Sequence, residues 1–254
     1  MQLVVAVAEQ GGLGVLHKVV PQRDVARLVH AGRVFWQGSL HGHSVVLALS
    51  GIGKVAAATT ATVLIERFRV ARIVFTGVAG GVGEGVAVGD IVVAHDYVQH
   101  DMDVSPLFER WQVPGYSGVR LPCDPELTAI LSEAVRACLI SAEGHFDHEF
   151  MDAAPRLHLG LMASGDRFIT CAEVARTVRE PLLAAGHDVL AVEMEGAAVA
   201  QVCLDYRVPF AAVRTVSDRA DNSAHIDFPA FMEKVASRYA ERIVQALCEI
   251  IQKQ

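Results

Sequence analysis

The sequence predicts an α/β protein built on a largely parallel or mixed central β-sheet, with helices covering both faces. Three observations carry that expectation. Short β-branched runs alternate with helix-periodic stretches along the whole chain. Several of those runs end in glycine or in polar residues. No composition break, long linker or internal repeat divides the 254 residues. A content of 52% hydrophobic against 20% charged residues suits a chain with a large buried core rather than a disordered one.

The elements follow in order. Residues 3–8 form a short continuous apolar run, as buried strands do. Residues 33–37 and 43–49 alternate, and Gly38, Ser39 and Gly42 between them suggest a hairpin. Residues 54–68, behind Gly51 and Gly53, carry Ala, Leu and Ile at helical spacing. Residues 72–76 read as a strand ending in Gly77, Gly80 and Gly81, and a second begins at Gly89-Asp90 and runs through Val98. Residues 125–138 read as a helix with its proline in the first turn. Residues 157–163 and 189–192 read as strands, 195–206 as a helix, 209–216 as a strand, and 231–251 as a long closing amphipathic helix. Residues 106–122 are the one long irregular stretch. Trp111, Pro114, Gly115 and Tyr116 mark it as a surface loop, either at a site or interface or as a plain connection.

Charge and composition exclude several functions. The 29 acids against 22 bases give a net charge of −7, which argues against a nucleic-acid partner, since phosphate chains call for a basic face. A small nucleoside without phosphate is not excluded. The N-terminus lacks a basic flank, apolar stretch and small-residue cleavage site, so no secretory signal is expected. The longest apolar region, 45–65, is broken by Ser50, Lys54 and threonines, so no membrane partner is expected either. Five cysteines, an odd number without a Cys-x-x-Cys pair, suggest reduced and mostly buried thiols in a cytoplasmic protein. The 11 histidines show no metal-ligand spacing, and neither a metal nor a redox cofactor is expected.

Ligands of open α/β sheets gather beyond the carboxyl ends of strands, and four such ends stand out. Thr76-Gly77-Val78-Ala79-Gly80-Gly81 lets a ligand approach the backbone, or is simply a tight turn. In Ser164-Gly165-Asp166-Arg167-Phe168-Ile169, Phe168 can stack on a planar base while the Ile169 backbone reads its edge; a core phenylalanine is the alternative. Glu193-Met194-Glu195 places two carboxylates at a strand end, where one can accept both hydrogen bonds of a ribose diol or sit at a helix start. Arg214-Thr215-Val216-Ser217-Asp218 ends with a carboxyl able to act as a general acid in a partly dry pocket, or as a cap.

Together with Ser50-Gly51-Ile52-Gly53-Lys54-Val55-Ala56-Ala57, Val88-Gly89-Asp90-Ile91-Val92-Val93 and His100-Asp101-Met102-Asp103-Val104, these stretches make the chain resemble the 5′-methylthioadenosine/S-adenosylhomocysteine nucleosidases of the nucleoside phosphorylase superfamily. The resemblance implies one domain over 1–254, a three-layer α/β fold around a mixed sheet, and a homodimer. It implies hydrolysis of the N-glycosidic bond of an adenine nucleoside to adenine and a thioribose, without a cofactor. It assigns Asp218 as the acid that protonates the adenine ring and Ser217 as its supporting hydroxyl. Phe168 and Ile169 receive the base. Met194 and Glu195 receive the ribose, with Glu193 beside them. Arg214 stands near the nucleophilic water, Val78, Ala79 and Gly80 line the pocket, and Phe228 lines the 5′ side.

Two positions depart from the family's pattern. A gapless match sets Gly12, after Gly11, where the family has its water-activating glutamate. Glu9 is the nearby carboxylate assigned to that role, with Glu195 as the alternative. Val78 replaces a small polar residue, removing a hydroxyl that a phosphate pocket would use. The competing readings are a purine nucleosidase or phosphorylase of altered substrate range, and a catalytically impaired nucleoside-binding protein.

Overall fold

The computed structural model describes residues 4–7, 25–141, 150–151, 153–219 and 228–253. It contains strands β1 (Val4–Val7), β2 (Ala26–His30), β3 (Arg33–Leu40), β4 (His43–Leu49), β5 (Ile73–Gly81), β6 (Ile91–Gln99), β7 (Leu121–Pro122), β8 (Leu157–Ser164), β9 (Val189–Glu193) and β10 (Phe210–Asp218). The helices are α1 (Lys54–Phe68), α2 (Pro125–Ser141), α3 (Ala172–Ala184), α4 (Gly196–Tyr206), the short α5 (Phe228–Phe231), a π-helical turn (Met232–Ala236) and α6 (Ser237–Gln252). Among the described residues no helix is long and apolar enough to cross a membrane.

The strands form one mixed sheet, as expected. It has an open wing and a closed part. In the wing, β1 runs parallel to β4 and β5, and β4, β3 and β2 follow as antiparallel neighbours. Both wing turns are two-residue loops, Ala31-Gly32 and His41-Gly42, with positive φ at each position. That geometry matches the twist of a tight hairpin and calls for glycine at the second position. In the closed part, β5 is parallel to β10, β10 antiparallel to β6, and β6 parallel to β8. β8 is parallel to β9, and β9 returns antiparallel to the end of β5 through Gly80↔Val192 and Gly81↔Ala191. Five strands thus close a ring, which the linear run of strands and helices does not disclose.

Alternation along the strands sorts the core into layers. Ile73 and Phe75 join Phe35, Val92 and Tyr97 under α1 and α4. Val74, Ile91 and Val93 join Leu131 of α2 with Ile243 and Leu247 of α6 on the opposite face. A third cluster, Val98, Leu161, Ala163 and Val192, packs with Leu182 of α3 and with Trp111. The buried Trp111 makes the 106–122 stretch a docked connection rather than a wholly exposed loop. Cys123, Cys138, Cys203 and Cys248 are buried, and all five thiols are free.

Helix α4 packs directly against β6. A Cβ on its first residue, Gly196, would lie 2.3 Å from a ring carbon of Tyr97, itself fully buried. Gly196→Ala is therefore expected to cost about 1–3 kcal/mol of stability, measured as a lower urea midpoint. An unchanged midpoint would show that α4 can back away.

Candidate active site

Gly80 pairs with Val192 of β9 on one side and with Asp218 of β10 on the other. Three strands therefore bring their last residues to one rim. The register of β10 slips between Val216 and Asp218, and an irregularity of this kind re-aims the side chains around it. Asp218 is 6% exposed. The Ser217 hydroxyl donates to its Oδ2 at 2.7 Å and lies 3.5 Å from the Ala79 carbonyl oxygen. On β5, Ala79 is buried, while Val78 and Gly80 are half-buried.

Below the rim lies a buried ion pair. Arg214 is 0% exposed. Its Nη2 donates to Glu193 Oε2 at 2.7 Å, and its Nη1 to the carbonyls of Phe75 and Val213 at 3.2 and 3.1 Å. The guanidinium covers the Phe75 ring at 4.2 Å from its centroid. Glu193 also accepts the Gly196 N–H at 3.0 and 2.8 Å, the Glu195 N–H at 3.3 Å and the Ser164 hydroxyl. Ser164 Oγ in turn accepts the Ala197 N–H at 2.8 Å. Glu193 thus satisfies the first amides of α4 from the favourable end of the helix dipole. Both of its oxygens are committed to protein donors.

Glu195 has a different environment. Its Oε1 accepts one bond, from the Gly53 N–H at 2.9 Å. Burial first, then the charge of Glu193, push its carboxyl up to about 7, against the pull of the Gly53 N–H and Arg214. Met194 beside it is half-buried. In the segment after β8, Phe168 is 49% exposed and Ile169 is buried against Val98, Leu161 and Val192. The Gly165 N–H donates to the Glu193 carbonyl at 3.1 Å, which ties this segment to β9. Phe228 opens α5. Glu9, Gly11 and Gly12 lie outside the described residues. Among the described residues no group of three or more metal-ligating side chains occurs.

Lys54 and Asp101 also join the site, although sequence reasoning did not single them out. Lys54 Nζ donates to Asp101 Oδ1 at 2.6 Å and to Gln99 Oε1 at 3.0 Å. The signal was a lysine at the first position of a helix, where the dipole disfavours a cation and an acidic partner is called for.

The profile of the phosphorylase superfamily matches residues 2–252. The chain belongs to that superfamily. Within it, the chain falls in the 5′-methylthioadenosine/S-adenosylhomocysteine nucleosidase family. The nucleosidase of that name from Haemophilus ducreyi is 36% identical over 224 residues, 88% of each chain. The Neisseria meningitidis nucleosidase, solved in complex with methylthio-immucillin-A, is 33% identical with a TM-score of 0.82, covering 100% of this chain and 99% of that one. A futalosine hydrolase mutant of Helicobacter pylori is 28% identical with a TM-score of 0.80, covering 100% of each chain.

In this nucleosidase-family chain Glu195 leaves a thermodynamic signature. An acid whose native value of about 7 exceeds its ordinary 4.5 takes up protons on folding. Its contribution to stability is present below 4.5 and is lost as the pH rises through 7. The urea midpoint of Glu195→Gln relative to wild type should therefore rise between about pH 5 and about pH 8. A constant difference would show that Glu195 is not the group that titrates there.

Proposed function

We propose that this chain hydrolyses the N-glycosidic bond of 5′-thio-substituted adenosines, methylthioadenosine and S-adenosylhomocysteine, releasing adenine and a thioribose. The observation that carries this reading is the pairing of Gly80 with both Asp218 and Val192. It sets a buried carboxyl and the Glu193–Glu195 turn on the two strands that flank the end of β5, on one rim where a base and its sugar can both be met.

Asp218 gives its proton to the adenine ring as the bond to C1′ stretches, so the base leaves neutral rather than as an anion. Ser217 donates to Asp218 Oδ2 and fixes the carboxyl's orientation. Phe168 stacks on adenine and the Ile169 backbone reads its edge. The sugar becomes oxocarbenium-like. Glu195 accepts the ribose hydroxyls, and its negative charge favours the developing cation. Water adds to C1′ and gives up its proton to Glu9. Arg214 supports this side through Glu193 rather than by its own contact, since its Nη atoms are committed and it is fully enclosed.

Hydrolysis is favoured over phosphorolysis by the same commitments. A phosphate needs charge-assisted donors, and Val78 offers no hydroxyl while Arg214 is fully enclosed and bonded to Glu193, Phe75 and Val213. The adenine and ribose ends are common to methylthioadenosine, S-adenosylhomocysteine and 5′-deoxyadenosine, so comparative turnover ranks them. The whole chain, 1–254, acts as one domain, and two chains form a homodimer. Ile52, Val55, Leu107 and Phe108, in segments adjoining the site, are exposed apolar side chains that such a contact would cover. Sedimentation of a particle of two chains is expected; a single-chain particle would remove the dimer.

Free adenine is the decisive readout. Asp218→Asn should slow its release by about 10²–10⁴-fold without loss of folding. Wild-type release should be indifferent to phosphate. Full turnover by the variant would remove Asp218 as the acid, and a sugar-phosphate product would convert the reading to phosphorolysis.

A further inference from the structure

The proposed base and ribose contacts come from distant parts of the chain, yet both are referred to the first turn of α1. The Gly53 N–H holds Glu195 Oε1 at 2.9 Å. The next amide, Lys54 N–H, holds Asp166 Oδ1 at 2.7 Å. Asp166 lies two residues before Phe168 and three before Ile169. Its own N–H donates to Asp101 Oδ2 at 2.9 Å, and the other oxygen of Asp101 accepts Lys54 Nζ at 2.6 Å. The same ammonium donates to Gln99 Oε1 at 3.0 Å, and Gln99 Nε2 donates to Gln201 Oε1 of α4 at 2.8 Å. Lys54 therefore binds Asp166 through its backbone and Asp101 through its side chain, closing a loop of three hydrogen bonds, with a fourth to Gln99 at the end of β6.

We propose that Lys54 is a positioning residue for nucleoside binding, clasping the Phe168–Ile169 segment to the helix turn that holds Glu195. The proposal rests on the base and ribose roles given above for those three residues. The physical cause is charge. The Asp101 carboxylate is partly withdrawn from water and accepts the Lys54 ammonium and the Asp166 N–H, so without the ammonium it would be held there with no cation beside it. A single compact ammonium, reaching Asp101 from the same residue whose N–H holds Asp166, compensates that charge. The Lys54 side chain is 16% and the Asp101 side chain 34% exposed, so the contact is screened less than a surface pair. Asp101 lies below its ordinary range: burial acts upward, and the hydrogen bonds from Lys54 and the Asp166 N–H outweigh it. Lys54→Met should free the segment by leaving Asp101 without its cation, although the backbone N–H to Asp166 is kept. Asp101→Asn in the same chain should restore it, because the amide oxygen still accepts the Asp166 N–H without the charge.

Three proteins decide this: wild type, Lys54→Met, and Lys54→Met with Asp101→Asn. Each is read by amide hydrogen exchange over residues 165–169, by adenine affinity, and by KM and kcat for methylthioadenosine. Lys54→Met is expected to raise exchange in that segment, weaken adenine binding and raise KM by about tenfold, with a smaller change in kcat and little change in the urea midpoint. The double variant is expected to recover most of each loss. Exchange and adenine affinity within twofold of wild type in Lys54→Met would overturn the proposal. So would losses that the second substitution fails to reduce, since those would mark Lys54 as a general packing residue. If the wild type releases no adenine, the catalytic reading fails instead, and hydrogen exchange alone still judges the clasp.

Discussion

The enclosed contact between Arg214 and Glu193 is the constraint on which the site depends. Taking a guanidinium and a carboxylate out of water costs several kcal/mol each, and their attraction repays that only when the remaining donors and acceptors are satisfied. Here most are. Arg214 reaches β5 through the Phe75 carbonyl and its own strand through Val213, and covers an aromatic face. Only its Nε lacks a hydrogen-bond partner among the described residues. Glu193 takes up the first amides of α4 and the Ser164 hydroxyl. One ion pair therefore ties β5, β8, β9, β10 and α4 together at the point where the ring of strands closes. An apolar pair of equal volume could match its stability. It could not hold five elements in register, because dispersion contacts have no direction.

That commitment divides the labour between two neighbouring carboxylates. Glu193 is spent on structure, with every oxygen engaged. Glu195 is held only by backbone amides, those of Gly53 and Met194. The fixed charge of Glu193 beside it, added to burial, is what lifts Glu195 to about 7. Neighbouring acids set in different environments are the usual mark of differentiated roles. The helix start of α1 then acts on Glu195 from the other side, so its position is determined by a backbone amide and not by a flexible side chain.

Much of the scaffold was legible in the sequence because local periodicity dictates it. Helix α1 spans Lys54–Phe68 as its spacing predicts, and β8, β9 and β10 differ from expectation by one or two residues at their ends. What escaped has physical reasons. β2 is a largely exposed edge strand with little apolar alternation to detect. α3 keeps Val174, Val178 and Leu182 on one face but carries Pro181 inside it, a residue that reads as a breaker. β5 runs on through Gly77, Gly80 and Gly81, where glycine suggests a turn, because those residues are where β9 and β10 come alongside. In the site, the chemically telling residues stood in recognisable motifs. Their division into buried pair and rim did not, since Arg214 and Glu193 are 21 residues apart and Lys54 and Asp166 are 112 apart. Only closure of the sheet brings such positions together.

The choice of nucleophile follows from what closure leaves unspent. A phosphorylase must hold a dianion against C1′, and that takes donors which are charged, aimed outward and not already bonded. In this ring the obvious cation is turned inward and shared among a carboxylate and two carbonyls, and the β5 position beside the rim carries the hydrocarbon of Val78. The second cation near the site, Lys54, is held by Asp101 and Gln99. Water requires none of this, being neutral and small enough to be oriented by one acceptor. The same ion pair that gives the ring of strands its register therefore withdraws the positive charge a phosphate would seek, and leaves acids rather than a cation at the rim.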